Sequence, residues 1–385
     1  MRLLARSPAL LVLTAVPPAF ADAPDLREDL FIEQAGGVSL ELLQSGEGAR
    51  AEVVQSAALS ARAFIEQTGF ALRVEDAAGG PGLVQAGLNQ VGEIVQLGED
   101  HRAALGQSGE AAVAVIRQDG FGASADVLQA GFDNRVLVAQ VSAGDVVATV
   151  RQEGEANRLA LAQVGAELRA RSVQTGSGQE GLLAQTGRAL LAELEQSGAD
   201  NNAVIAQVSL RGRAESFARV EQTGLRGDSL ITQLGDGQFA TLVQAGSDNR
   251  SEIAQQAGAG HRAEVAQDGA NNRAFIAQVS FTAAGASFAE VTQTGFDGFS
   301  LIEQSGGSQR ASVLQAGVSA SSVVEQFSLT AFASNEAVVE QTGIGVASEV
   351  RQTGDGNLAE VRQAGAGAIS SVTQIGTGNN AIVRQ

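Results

Sequence analysis

Residues 352–385 read QTGDGNLAEVRQAGAGAISSVTQIGTGNNAIVRQ, in which Gln352, Gln363, Gln374 and Gln385 recur at one constant interval. Val, at 361, 372 and 383, lies two before each of the last three, and Ala or Ser, at 359, 370 and 381, lies four before. Alternate residues of a strand share a face, so this period-2 pattern predicts a short strand closing on Gln, with a turn in the Gly and Asn that follow. The spacing continues upstream. Thirty-one of the 36 Gln share one register from Gln34 to Gln385, 22 of the 30 intervals have this same length of eleven, and Gly stands two after Gln in 24 of 30 cases. A fixed period over most of a chain marks a repeat array stabilised by neighbour contacts.

Two such units make one rung. The position four before Gln alternates through Ala218, Ser229, Ala240 and Ser251, and again through Ala337, Ser348, Ala359, Ser370 and Ala381, so like stacks on like at every second unit. The expected fold is all-β, a β-solenoid of about 15 rungs with two strands per 22-residue rung and stacked Gln ladders. At a strand spacing of about 4.8 Å this is a rod on the order of 70 Å long. An unpaired buried amide costs about 1–3 kcal/mol, so each inward Gln is expected to donate to the Gln one rung away, as in cross-β assemblies. Gly supplies the turn conformation that a Cβ would obstruct. Asn five after Gln (134, 157, 201, 249, 272, 357 and 379) is expected to take the left-handed region and bond its own turn.

Departures from the period are placed in the same frame. Longer intervals of fifteen follow Gln207, Gln278 and Gln326, all even-numbered units counted from Gln34, so three wider loops are expected on one edge. The largest break, from Gln67 to Gln85, contains Pro81. Proline cannot donate to a strand ladder, so residues 70–84 read as a loop or defect. The organisation expected is a signal peptide at 1–21, a short acidic leader at 22–33, irregular first repeats with the Pro81 loop at 34–84, and a regular solenoid at 85–385. The signal rests on Arg2 and Arg6, the apolar run Ala9 to Val16, and Ala19-Phe20-Ala21 before Asp22.

Composition narrows the function classes. Net charge is −18, and all 25 basic residues are Arg. From Asp22 onward the balance is 23 Arg against 43 acids, which argues against general nucleic-acid binding. Cysteine is absent, which removes disulfides and thiolate metal sites. Aromatics are 15 Phe with no Trp or Tyr, so the interior is filled by small and branched aliphatics. The two histidines, His101 and His261, fall in the turn slot otherwise held by Asn or Gln and read as turn residues rather than ligands or bases. Acids such as Glu290, Glu303, Glu325, Glu340, Glu349 and Glu360 fall on outward positions. In a 22-residue rung Glu340 stacks near Arg362, favourably, while Arg362 near Arg384 and Glu303 near Glu325 repel. No catalytic, cofactor or metal site is expected.

The pattern Gln-x-Gly-x-Gly-Asn-x-Ala-x3-Gln resembles the curlin repeat. Gln352, Gly354, Gly356, Asn357, Ala359 and Gln363 match it at every defined position, as do Gln374, Gly376, Gly378, Asn379, Ala381 and Gln385, with weaker versions back to about Gln34. The Ser usual at six before Gln stands at four here, and the polar Gly-rich leader of curlins is replaced by an acidic one. The resemblance implies a secreted subunit of curli-type functional amyloid on the bacterial surface, serving adhesion and biofilm matrix and not acting as an enzyme. The implied partners are further copies of itself, a curlin-like nucleator and an outer-membrane secretion pore, with no nucleic acid and no stable membrane insertion. The twelve residues just named form the expected self-assembly ladder. The repeats from about Gln293 to Gln385, finishing without a cap, are expected to be the elongating end, and residues 26–84 the opposite end or a nucleating cap. The alternative is a monomeric or nucleating solenoid adhesin that binds through its protruding loops.

Overall fold

The computed structural model describes residues 2–5, 10–13, 29–34 and 38–385, apart from 213, 281–284, 329 and 331–333. Every element among them is a strand, and they make about 15 turns of parallel β-solenoid with a spacing near 22 residues. The chain divides into two compact units, residues 1–188 and 189–385.

In the second unit the strands fall into two parallel columns. One holds Asn202–Val208, Asp228–Asp236 and Arg250–Ala259 and continues to Ile369–Thr377. The other holds Ser216–Leu225, Phe239–Ser247 and Arg262–Ala270 and continues to Asn380–Arg384. Pairing is always with the strand two further along, and Gln lies on Gln: Gln207 on Gln233, Gln222 on Gln244. Burial alternates strictly. Ala240, Leu242 and Gln244 are buried, while Thr241 and Val243 are half exposed. The interior is therefore one layer of small residue, branched aliphatic and Gln from each column, which explains how a chain so poor in aromatics closes its core.

The first unit follows the same rule with longer elements. Val113–Phe132, Arg135–Glu155 and Arg158–Ser177 each carry one strand from both columns, bent at the corner. The bend uses left-handed residues, Gly122 at φ 68°, Asp145 at 49° and Glu167 at 56°. The residues read as an export signal contribute two short strands in the full chain, Arg2–Ala5 on Asp29–Gln34 and Leu10–Leu13 on Ser39–Glu47. Most of that segment and of the acidic leader lies outside the described residues.

The Pro81 insertion sits inside a strand. Arg73–Val74 stacks on Arg50 and Ala51, the chain loops out, and Leu83–Leu88 resumes on Val53 onward with Gln85 on Gln55. Asp76 ties the loop by accepting from the N–H groups of Ala78 (2.9 Å) and Gly80 (2.7 Å). The Gln column passes through unbroken. The three wider loops all leave strands of one column, Asn202–Val208, Arg273–Val279 and Ser321–Phe327, so they share an edge of the second unit as expected.

Candidate functional site: the stacked amide ladders

Within each unit, Gln side chains along both columns donate from Nε2 to Oε1 of the Gln one turn later. In the first unit Gln96 donates to Gln118 (2.8 Å), Gln118 to Gln140 (2.9 Å) and Gln140 to Gln163 (2.9 Å). In the second, Gln222 donates to Gln244, Gln233 to Gln255 and Gln255 to Gln278, each at 2.9 Å. The second Nε2 hydrogen crosses the interior to a backbone carbonyl of the facing strand, as from Gln118 to Arg102 O (3.0 Å) and from Gln255 to Phe239 O (3.0 Å). A buried primary amide thus has both donors and its acceptor engaged. All of these dipoles point the same way, so each bond polarises the next.

The Ala/Ser alternation has a physical role that the spacing did not reveal. Ser229 receives Gln222 Nε2 at 2.9 Å and donates to Gln244 Oε1 at 2.8 Å. Ser251 and Ser300 repeat this with the pairs Gln244/Gln267 and Gln293/Gln315. A Ser of one column therefore braces the Gln ladder of the other, and the Ala of the second column leaves room facing the first. Farther along, the hydroxyls of Ser322, Ser348 and Ser370 are buried without a partner.

Gly two after Gln is required by stacking. At Gly131 (φ 114°) a Cβ would lie 2.0 Å from the carbonyl oxygen of Gly154, one turn on, and at Gly269 (φ 118°) 2.0 Å from that of Gly295. The expectation for Asn needs correction. The left-handed residue is the one before it, such as Asp133 (49°), Asp200 (56°) or Asp248 (57°), while Asn itself is buried and forms a second ladder. Asn134 Nδ2 bonds Ala130 O in its own turn (2.9 Å) and Gly154 O in the next (3.0 Å), and its Oδ1 accepts from the N–H of Asn157 (3.1 Å).

His101 and His261 fill this Asn slot. His101 Nε2 lies 2.9 Å from Leu97 O and Nδ1 accepts from the N–H of Ala123 at 3.1 Å. His261 lies 3.0 Å from Ala257 O and accepts from Ser287 N at 3.3 Å. Bonded this way, the ring carries its proton on Nε2 and is neutral. Burial pushes both imidazoles below the ordinary value, against opposing backbone bonds. Where Gln takes the slot, at Gln90, Gln238 and Gln309, Nε2 still reaches the carbonyl four before, but Oε1 has no partner.

The structure brings the twelve repeat residues of 352–385 onto these same columns. Gln326 donates to Gln352 and Gln352 to Gln374, both at 2.8 Å, while Gln341 donates to Gln363 (2.9 Å) and Gln363 to Gln385 (3.1 Å). Asn357 Oδ1 accepts from the backbone N–H (3.1 Å) and Nδ2 (2.9 Å) of Asn379, and Ala359 stacks on Ala381. Gly354 lies under Gly376, and Gly356 and Gly378 take the left-handed turn at 67° and 69°.

The outward charges stack as expected. Glu340 pairs with Arg362 (3.7 Å), and the like-charged step from Arg362 to Arg384 is bridged by Glu360, 2.6 Å from one and 3.7 Å from the other. Glu303 lies beside Glu325, which is offset by Arg351 at 3.2 Å. Glu303, Glu325 and Arg351 line a shallow groove of about 310 Å³ with Ala277, Val279 and Phe327. Two Asp residues, unremarked in the repeat, hold two of the three wider loops. Asp236 Oδ1 accepts from the N–H groups of Leu210, Arg211 and Gly212 at 3.2, 3.2 and 3.1 Å. Burial opposes the charge, but these bonds outweigh it and hold the carboxyl below its ordinary range. Asp355 accepts from Ser328 Oγ (3.0 Å) and Thr330 N (3.3 Å). Each Asp stands three after the Gln that stacks on the strand before the loop, a register cue present in the sequence. No group of three or more potential metal ligands occurs among the described residues.

The model of the curlin associated repeat matches residues 230–256, which hold Gln233, Gln244 and Gln255 and span a little more than one turn. No curated protein matches the chain. The chain carries a curlin-like repeat on a parallel β-solenoid.

Proposed function

We propose that this protein is a structural, non-enzymatic subunit of an extracellular curli-like fibre, exported from a bacterial cell and serving adhesion and biofilm matrix. The observation that supports it best is the polarity of the Gln ladders. Within each unit the ladder bonds all run from one Gln to the Gln one turn on, so one end of a column offers an acceptor and the other a donor, and the backbone edges are matched in the same sense. Joining a donor end to an acceptor end is a head-to-tail contact, which generates an open filament when the rotation does not close. In this reading a second copy continues the columns through Gln352, Gly354, Gly356, Asn357, Ala359 and Gln363 and through Gln374, Gly376, Gly378, Asn379, Ala381 and Gln385. A curlin-like nucleator and an outer-membrane pore are the further partners it calls for.

The test is growth of fibres by the purified chain, followed by thioflavin fluorescence and electron microscopy, beside a variant lacking residues 364–385. Concentration-dependent fibres that elongate more slowly without those residues are expected. Growth unchanged by the deletion would remove the assembly role from these repeats. A chain that stays monomeric at every concentration would instead favour a loop-bearing adhesin.

A further inference from the structure

The two columns present unlike outer surfaces, and the difference is sharpest in the first unit. Where Arg135–Glu155 stacks on Arg158–Ser177, the outward residues of the earlier column run Leu137, Ala139, Val141 over Ala160, Ala162, Val164. Gln163 donates to Gln185, which sets Leu182 and Ala184 in the next row. No charge interrupts these positions. Leu137, Val141, Val164 and Leu182 are 44, 50, 46 and 41% exposed. The opposite surface of the same turns shows Thr149, Arg151 and Glu153 over Arg171 and Val173.

The relief of the apolar surface is a valley between ridges. Ala139, Ala162 and Ala184 form the floor, with Val141 and Val164 on one side and Leu137 and Leu182 on the other. At its margin Arg158 is paired with Glu180 at 3.2 Å and Arg117 with Glu93 at 2.9 Å, and Asp119 stands beside Val141 at the edge of the Val ridge. The second unit repeats the arrangement at Val204, Ala206 and Val208.

We infer that this surface docks laterally against the same surface of a second copy, the Val ridge of each seated in the Ala valley of the other. Three features select that occupant. The fit is reciprocal under a twofold axis, because each surface offers both a ridge and a valley. Its rows recur at one strand spacing, about 4.8 Å, so only a partner with the same rise keeps ridge and valley in step over successive rows, as in a steric zipper with sheets about 10 Å apart. For a chain of net charge −18, it is also a surface where two copies meet without repulsion. Three rows of five residues cover only about 240 Å², well under the roughly 800 Å² per partner of a stable interface. Single chains therefore pair weakly, and the pairing is independent of end-to-end growth.

The chain has no cysteine, so one introduced thiol reports one surface. Full-length Ala162→Cys and, separately, Ala184→Cys are treated with a short bis-maleimide beside Thr149→Cys on the opposite surface, with circular dichroism confirming the fold of each. Both Ala variants should yield about tenfold more crosslinked dimer than Thr149→Cys, and adding Val164→Glu to Ala162→Cys should abolish the excess. Equal yields from the two surfaces, or no dimer from either Ala variant at any concentration, would overturn the inference. Binding of Ala162→Cys to neutral phosphatidylcholine vesicles without self-crosslinking would assign the surface to lipid and overturn it likewise. Fibres seen by microscopy without lateral crosslinks would leave end-to-end assembly intact while removing this contact.

Discussion

Replacing Gln255 by Leu should destabilise the second unit more than replacing Gln244 by Leu, although the two occupy identical positions in adjacent strands and are equally buried. Gln255 accepts from Gln233 and donates to Gln278 and to Phe239 O. Its loss leaves Gln278 Oε1 buried with no donor, a cost of about 1–3 kcal/mol, and removes one bond each from Gln233 and Phe239, about 1 kcal/mol apiece. At Gln244 the Ser braces remain. Gln267 Oε1 keeps Ser251 Oγ at 2.5 Å, and Gln222 Nε2 keeps Ser229 Oγ at 2.9 Å and Asn202 O at 3.1 Å. No amide group is orphaned there, and the losses are the bonds that Asp228 O and the Ser229 hydroxyl made to Gln244, about 1 kcal/mol apiece. The gain from burying Leu and the two lost bonds are common to both variants and cancel in the comparison, leaving Gln255→Leu worse by the orphaned Gln278 oxygen, about 1–3 kcal/mol. With no Trp or Tyr in the chain, urea unfolding is followed by circular dichroism on freshly folded protein. Equal midpoints, or a lower one for Gln244→Leu, would refute the bracing role of Ser229 and Ser251.

Three further outcomes follow from the turn slot and the loops. Gln309→Asn and Gln238→Asn should each stabilise by about 1 kcal/mol, because the shorter amide keeps its donor bond and brings its oxygen to the N–H one turn on. A lower urea midpoint for both would show that the orphaned oxygen is not the limiting defect. Acid should weaken the fold through His101 and His261. Their imidazoles sit below the ordinary value of 6.5 when folded, so their contribution is complete above that pH. It is lost as pH falls toward the folded values, by about 1.4 kcal/mol per pH unit per His. The double variant His101→Asn/His261→Asn should flatten stability between pH 6.5 and 5, and an unchanged slope would disprove the neutral assignment. Asp236→Ala should free the loop at Leu210–Gly212 and speed tryptic cleavage after Arg211 several-fold, whereas an unaltered rate would show the loop is held by other means.

The ladders were legible because a stacked amide needs the same residue in every turn, so the structural demand is itself periodic. What the sequence hid was either degenerate or remote. Asn signals both left-handed tolerance and amide bonding. The structure assigns the first to Asp133, Asp200 and Asp248, one place earlier, and the second to Asn. The sharing of the slot with Gln was the discriminating cue, since Gln shares the donor but not the backbone tolerance. The long break between Gln67 and Gln85 was visible, but not that its extra residues leave between Val74 and Leu83 in mid-strand. The Ser braces were invisible for another reason: Ser229 serves Gln244, 15 residues away in the other column, a relation no within-column period contains.

That division bears on assembly. A period along the chain specifies how a turn meets the next turn, whether that turn belongs to the same chain or to a second copy, and so the repeat alone cannot limit growth. Contacts between columns, such as Ser229 with Gln222 and Gln244, act only within a closed turn and reward completing it. The Ser braces are present at Ser229, Ser251 and Ser300 and lapse at Ser322, Ser348 and Ser370, where only the Gln bonds across the interior remain, as from Gln352 to Glu336 O and from Gln374 to Leu358 O. The later turns of the second unit therefore depend more heavily on stacking for their stability. If the protein grows as proposed, turns of that kind gain the most from a neighbour, which places the drive for templated addition in the region of Gln352 to Gln385.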